Sequence, residues 1–215
     1  MPESSHLDGG QALDPQQAKL AQQLRTYRGV DLTEEKHRLR ILQQVEATPL
    51  WWHRDTLPGH VTASAFIVDP SLEQILLVHH RKLDRWLQPG GHDDGERDPA
   101  ISVLREIEEE CALKQVRFFG DYPQIFDVDV HGIPARPDMP EHLHLDVRFL
   151  ILADPRQVLQ HDPEESHQIA WWSLARAYRE LEEESLLRPL RKIAEIRRAS
   201  KPSRQDPRFS ESEPS

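Results

Sequence analysis

The sequence predicts a mixed α/β (α+β) fold. Helix-periodic stretches alternate with short strand-like runs, two of those runs alternate polar and apolar residues at period two, and turn residues separate them. Asp14-Pro15 supplies a cap and first turn, Leu20, Leu24 and Tyr27 recur at helical spacing, and Gly29 stops the helix. Thr33 opens a second periodic stretch in which Leu39, Leu42 and Val45 share a stripe ending near Thr48-Pro49. Together these form a helical hairpin. Val61 to Val68 and Gln74 to His79 read as two strands joined by the turn at Asp69-Pro70-Ser71. Asp98 and Pro99 start a helix that runs to Leu113. Gln124 to His131 and His142 to Leu152 read as paired strands across the proline-rich connection Gly132 to Glu141. Ile169 to Trp172 is a further strand, and Leu174 to Glu182 and Leu186 to Arg198 are helices. From Ala199 the chain carries Pro, Ser and charge without periodicity, the pattern of a disordered tail. The expected organisation is a helical extension at 1–56, the main domain at 57–198 and a tail at 199–215.

Of the 215 residues, 37% are hydrophobic and 30% charged, enough for a core and too apolar for wholesale disorder. Lys and Arg total 27 against 37 Asp and Glu, a net charge of -10 that disfavours nucleic-acid backbones and anionic membranes as partners. An anionic substrate would then need a cation beside it. Cys111, the single cysteine, cannot form an internal disulfide. No apolar run reaches the ~18 residues of a membrane span, and Met1 to Gly10 lack a secretory pattern, so the cytoplasm is the expected compartment.

On the helix after Pro99, 100° per residue gathers Glu106, Glu109 and Glu110 within an arc of about 100°, beside an apolar arc of Ala100, Val103, Ile107 and Cys111. Carboxylates at this spacing repel by roughly 0.2–0.5 kcal/mol per pair in solvent, and a divalent cation removes that cost. Hard oxygen donors suit Mg²⁺ or Mn²⁺, completed by substrate phosphates. Acid-rich helix faces are ordinarily just solvated. Here Gly90-Gly91 and Gly95 precede the helix and allow a tight loop that brings backbone carbonyls toward it.

From Gly91 to Leu113 the chain resembles the Nudix box, G-x5-E-x7-R-E-U-x-E-E-x-G-U with U aliphatic. Gly91, Arg105, Glu106, Ile107, Glu109, Glu110 and Leu113 match, whereas Arg97 stands at the first Glu and Ala112 at the last Gly. The approach from Trp86 through Pro89, the strand hairpin and the later strands extend the resemblance from about Gly59 to Leu174. It implies an α/β/α sandwich with a mixed central sheet, here preceded by the helical hairpin. It further implies hydrolysis of the pyrophosphate bond of a small nucleoside diphosphate derivative by water attack at phosphorus, with Mg²⁺ or Mn²⁺ as cofactor. By the same resemblance Glu109 and Glu110 are metal ligands, Glu106 is a ligand or the general base, and the Gly90 carbonyl is a backbone ligand. A further carboxylate enters from a later loop, at Glu165 with Glu164 competing. Arg105 is expected to pair with loop or helix carboxylates, Glu96 among them, or to touch phosphate. Ala112 forgoes an easy left-handed cap. The altered Arg97 and Ala112 keep open a catalytically silent nucleotide-binding sensor. An isopentenyl diphosphate isomerase is disfavoured, because its cysteine sits in a pocket and Cys111 falls on the apolar arc as a core residue.

Period-two geometry sends Asp127, Asp129 and His131 to one face, and likewise His142, His144, Asp146 and Arg148. That polar face reads as a substrate pocket with His142, His144 and Arg148 as binding residues, as a satisfied hydrogen-bond network, or, through His-x-His, as a second metal site. Arg81, with His79, His80 and Lys82, offers charge to a phosphate or to solvent. Trp51 and Trp52 read as packing anchors or base-stacking residues. Arg188, Arg191, Lys192, Arg197 and Arg198 read as a solvated basic face. The helical hairpin fits a lid, a homodimer contact or a scaffold.

Overall fold

A computed structural model describes residues 12–137 and 139–200. Of the tail expected from 199, Ala199 and Ser200 end the last helix, and the remainder lies outside the described residues, as do Met1 to Gly10. The elements follow as α1 (Pro15–Thr26), α2 (Leu32–Ala47), β1 (Gly59–Val68), β2 (Gln74–His80), β3 (Arg85–Leu87), β4 (Gly90–His92), α3 (Pro99–Cys111), β5 (Val116–Phe118), β6 (Asp127–Ile133), β7 (His142–Ala153), β8 (Ser166–Ser173), α4 (Leu174–Glu180) and α5 (Glu184–Ser200). Among the described residues, eight strands form one mixed sheet in the order β3-β2-β1-β7-β5, with β4 on β1, β6 on β7 and β8 on β2. The β1–β7 pair is parallel, from Gly59 opposite Leu143 to Val68 opposite Leu152, and the other pairs are antiparallel.

Alternation along β1 and β7 splits the core into two layers. Val61, Ala63, Ala65 and Ile67, with Leu145, Val147 and Phe149, pack beneath Leu20, Leu24, Ile41 and Val45 of α1 and α2 and beneath Val103 and Ile107 of α3. Phe66, Val68, Ile75, Leu77 and Trp172 meet Leu174 and Ala177 of α4 and Leu186, Leu190 and Ile193 of α5. The result is an α/β/α sandwich, and the helical hairpin is part of its scaffold. Asp14 and Gln17 close a capping box at the start of α1. Trp51 is fully buried in this core, whereas Trp52 lies half-buried at its margin beneath the Arg97 guanidinium, 5.4 Å from the ring centre.

Arg188 and Lys192 depart from the expected solvated basic face: both are buried. They meet carboxylates on the polar face that period-two geometry gives β6, which is buried at Asp127 and Asp129 rather than open to water. Arg188 donates to both oxygens of Asp127 at 2.9 and 2.8 Å, and Lys192 donates to Asp127 at 2.7 Å and to the fully buried Glu34 of α2. The other basic residues of α5 are less enclosed, with Arg191 paired to Glu184 and Arg197 to Glu73. Burying charge is tolerated only when each charge is paired and hydrogen-bonded. Here the pairing ties α2, β6 and α5 together.

At the C-terminus of α3, Ala112 adopts φ 56°, ψ 21°, the left-handed cap that glycine fills without a Cβ clash. Ala112→Gly is expected to stabilise the protein by about 0.5–1 kcal/mol. The denaturation midpoint in urea measures it, and an unchanged or lowered midpoint would show that the cap stores no strain.

Candidate active site

The apolar flank of α3 fixes where its acids point. Val103, Ile107 and Cys111 are fully buried against the sheet, which turns Glu106 and Glu110 toward β4. The two glycines of β4 permit that approach. A Cβ on Gly91 would stand 2.7 Å from the Glu106 carboxylate, and Gly90 holds φ +151° with its N–H donating to Glu110 Oε1 at 2.7 Å. Gly90, Gly91, Glu106 and Glu110 therefore form one junction of strand and helix.

Arg105 is the clamp of this junction. Its Nη2 donates to the His92 carbonyl at 2.6 Å and to Glu106 Oε1 at 2.8 Å, its Nη1 donates to Glu109 Oε2 at 2.6 Å, and the Asp94 carboxylate stands at 3.8 Å. Of its two expected uses, the geometry shows the pairing with loop and helix groups. Glu96 is not among the partners. Its Oε1 accepts the Arg97 and Asp98 N–H groups at 3.0 and 3.3 Å, because the box loop turns there and leaves those donors to be capped. Arg97, at the altered box position, reaches Asp14 at 3.5 Å as well as Trp52, while Lys19 of α1 meets Asp98 at 2.5 Å. Those contacts dock the helical hairpin on the box loop.

Burial pushes the Glu106 carboxyl up to about 7 despite Arg105, with Glu109 adding to the rise. Burial likewise pushes Glu110 up to about 8; the Gly90 N–H opposes, and the charges of Glu106 and Glu165 add to it. Glu109 is more open, its side chain 57% exposed beside Arg105. Glu165 is exposed on the loop between β7 and β8, near enough for its charge to act on Glu110. Arg81 braces that loop: its N–H donates to the Glu165 carbonyl at 2.9 Å, its guanidinium donates to the Pro163 carbonyl at 2.8 Å, and Glu164 stands 3.6 Å away. Cys111 is a buried core residue whose thiol is pushed up by burial.

Arg148, expected to bind substrate, is enclosed in the fold at 2% exposure. It contacts Asp146 at 2.7 Å, Asp129 at 3.2 Å, Asp127 at 3.4 Å and the Ser185 carbonyl at 2.7 Å, so its donors are taken by neighbouring strands and α5. His142 is buried with its Nδ1 2.9 Å from the Pro140 carbonyl, and His144 is half-buried beside it. Both belong to a histidine cluster with His60 and His92, which sequence reasoning missed. Only the register reveals it, since His60 lies opposite His144 and Thr62 opposite His92. Asp93, also missed, is fully buried in the box loop and pushed up to about 7 by burial, against the pull of Ser102 and Arg105. Beside this loop a cleft of about 410 Å³ is lined by residues that include Trp52, Arg54, His92 and Asp94.

The family model for the NUDIX domain matches residues 58–180. An RNA pyrophosphohydrolase from Acidiphilium cryptum (strain JF-5) is 40% identical over 45 residues, which is 21% of this chain and 27% of that relative, so the match spans about a quarter of the relative's length. An Ap4A hydrolase from C. elegans, solved as a binary complex, has a similar fold, with a TM-score of 0.51 at 18% identity, covering 65% of this chain and 98% of that one. The NUDIX domain of Shewanella oneidensis NrtR, complexed with ADP ribose, gives a TM-score of 0.45 at 19% identity, covering 63% and 86%. With the family model matched over more than half its length, and with Arg105, Glu106, Glu109 and Glu110 ordered along α3 behind Gly91, the chain belongs to the Nudix hydrolase family.

Proposed function

We propose that this Nudix hydrolase is a pyrophosphohydrolase dependent on Mg²⁺ or Mn²⁺, cleaving the pyrophosphate bond of a nucleoside diphosphate derivative by attack of water at phosphorus. The observation that carries this reading is the pair of enclosed carboxylates, Glu106 and Glu110, held against Gly90 and Gly91.

The donors fit such an ion. They are hard oxygens, and two of them are carboxyls whose burial and proximity to other acids are relieved by a dication. Glu106, Glu109, Glu110 and the Gly90 carbonyl would hold it, with Glu165 added from the loop between β7 and β8. When bound, it supplies neutralisation of phosphoryl charge and a water of lowered pKa. The chain's own residues position these groups. Arg105 keeps Glu106 and Glu109 on one flank and ties that flank to the His92 carbonyl, the Gly90 N–H fixes Glu110, and Arg81 steadies the loop that bears Glu165. Breaking a phosphoanhydride needs positioning and charge stabilisation more than a covalent nucleophile, consistent with Cys111 being a core residue. In this reading the cleft beside the box loop, which Trp52 lines together with Arg54 in its 2.6 Å pair with Asp94, receives the nucleotide. The name of the Acidiphilium cryptum relative supports chemistry at a phosphoanhydride.

The test is a panel of nucleoside triphosphates, nucleotide sugars, ADP-ribose, dinucleoside polyphosphates and triphosphorylated or capped RNA, each with Mg²⁺ and with Mn²⁺, with products identified by chromatography. Metal-dependent cleavage between two phosphates is expected for at least one class. Binding across the panel without turnover would select the silent sensor instead.

A further inference from the structure

Behind the acid flank, three strands bring together imidazoles that lie outside the carboxylate junction of β4 and α3. His60 comes from β1, His92 from β4 and His144 from β7. Their ring centres are 5.1 Å apart for His60 and His92, 5.2 Å for His60 and His144, and 4.9 Å for His92 and His144. One ring nitrogen from each lies within 4.8 Å of the other two. His60 is fully enclosed, at 0% exposure, and among the described residues neither of its ring nitrogens has a hydrogen-bond partner. Nε2 of His144 is likewise buried without a partner among the described residues. Buried polar atoms are nearly always satisfied, so the unmet ring nitrogens of His60 and His144, gathered with a nitrogen of His92 within 4.8 Å of one another, point to a shared ligand that accepts lone pairs.

We infer that His60, His92 and His144 form a site for one transition-metal ion of the Zn²⁺ class. Imidazole suits Zn²⁺, Cu²⁺ and Ni²⁺, whereas Mg²⁺ and Mn²⁺ prefer oxygen, so donor chemistry separates this site from the carboxylates of α3. The sheet separates them too. A Cβ on Gly91 would point at Glu106, and alternation along β4 sends the His92 ring to the opposite face. Zn–N bonds of about 2.0–2.1 Å bring ligand nitrogens to roughly 3.3 Å from one another. Reaching that spacing requires the nitrogens to close in from up to 4.8 Å. His142 stacks on His60 with ring centres 5.1 Å apart and holds its own Nδ1 2.9 Å from the Pro140 carbonyl. Three protein ligands leave an open position for water or a ligand oxygen, and His92 also lines the cleft beside the box loop. The site stands whether or not the chain hydrolyses pyrophosphate.

The test uses the full chain, stripped with chelator and titrated with Zn²⁺ alone, then with Co²⁺ as a spectroscopic probe. One equivalent of Zn²⁺ is expected to survive gel filtration in excess Mg²⁺, and Co²⁺ is expected to give the visible bands of a low-coordinate nitrogen site. His60→Asn and His144→Asn, made separately, should each weaken Zn²⁺ binding by at least about 100-fold, while Glu106→Gln and Glu110→Gln leave it in place. X-ray absorption at the zinc edge of the unmodified protein serves if either histidine variant does not fold, and imidazole scattering is the expected signature. Failure to retain Zn²⁺, oxygen-only coordination, or loss of Zn²⁺ in the glutamate variants with retention in the histidine variants would overturn the site.

Discussion

Glu110→Gln is expected to lower kcat by about 100- to 1,000-fold at saturating Mg²⁺ and at the same time to raise the melting temperature of the metal-free protein. The substitution removes an anionic oxygen donor with little change of volume, and the remaining carbonyl oxygen still accepts the Gly90 N–H. The stability gain follows from linkage. Glu110 is pushed from the ordinary 4.5 up to about 8, and Glu106 up to about 7, so between about pH 4.5 and 8 the folded state binds more protons than the unfolded state. Stability in that window falls as pH rises. Removing the Glu110 charge should recover about 1–2 kcal/mol near pH 7.5, allowing for partial screening by solvent, or about 3–6 °C in a domain of this size. The variant should also show a flatter pH–stability profile than the parent. Calorimetry across pH 5–8 without metal, paired with turnover under Mg²⁺, reads both effects. Near-normal turnover in a folded variant would remove Glu110 from the site.

Arg148→Met should cost about 3–5 kcal/mol, because it leaves the carboxylates of Asp127, Asp129 and Asp146 buried without the guanidinium they surround. That is a large share of the roughly 5–15 kcal/mol that holds a domain folded, and it corresponds to a melting temperature lower by about 10 °C. KM measured well below that temperature should change little, since Arg148 is 2% exposed and its donors are engaged within the fold. A stable variant with a KM raised tenfold or more would instead restore Arg148 to substrate binding, the role its strand position first suggested.

The parts of the fold that were legible are those where periodicity runs long enough to be read. The box helix was visible from Asp98-Pro99 and from its apolar stripe, and the polar face of β6 and β7 from alternation over many residues, although that face is largely buried rather than open to water. Each of β3, β4 and β5 is three residues long, too short for a period-two pattern, and Gly90-Gly91 resembled a loop although it pairs with Ala63 and Ser64 as a strand. Long-range pairing was the other blind spot. A basic helix face is ordinarily solvated, and nothing local announces that Arg188 and Lys192 meet Asp127 and Glu34, whose positions lie 61 and 158 residues earlier. His60 and His92 were invisible for the same reason, because strand register rather than sequence spacing places them beside His144. Arg97 stood out as a departure from the box pattern. Its contacts with Asp14 and Trp52 give it a use in docking the helices that precede the domain.

Whether Glu106 and Glu110 gather a divalent ion against a diphosphate is tested most directly by diffraction from crystals of the full chain grown with Mn²⁺ and a non-hydrolysable nucleoside diphosphate analogue. The anomalous signal of manganese is expected between those two carboxylates, with a phosphate oxygen of the analogue completing its coordination. A manganese signal elsewhere, with both carboxylates facing bulk water away from the phosphates, would contradict it.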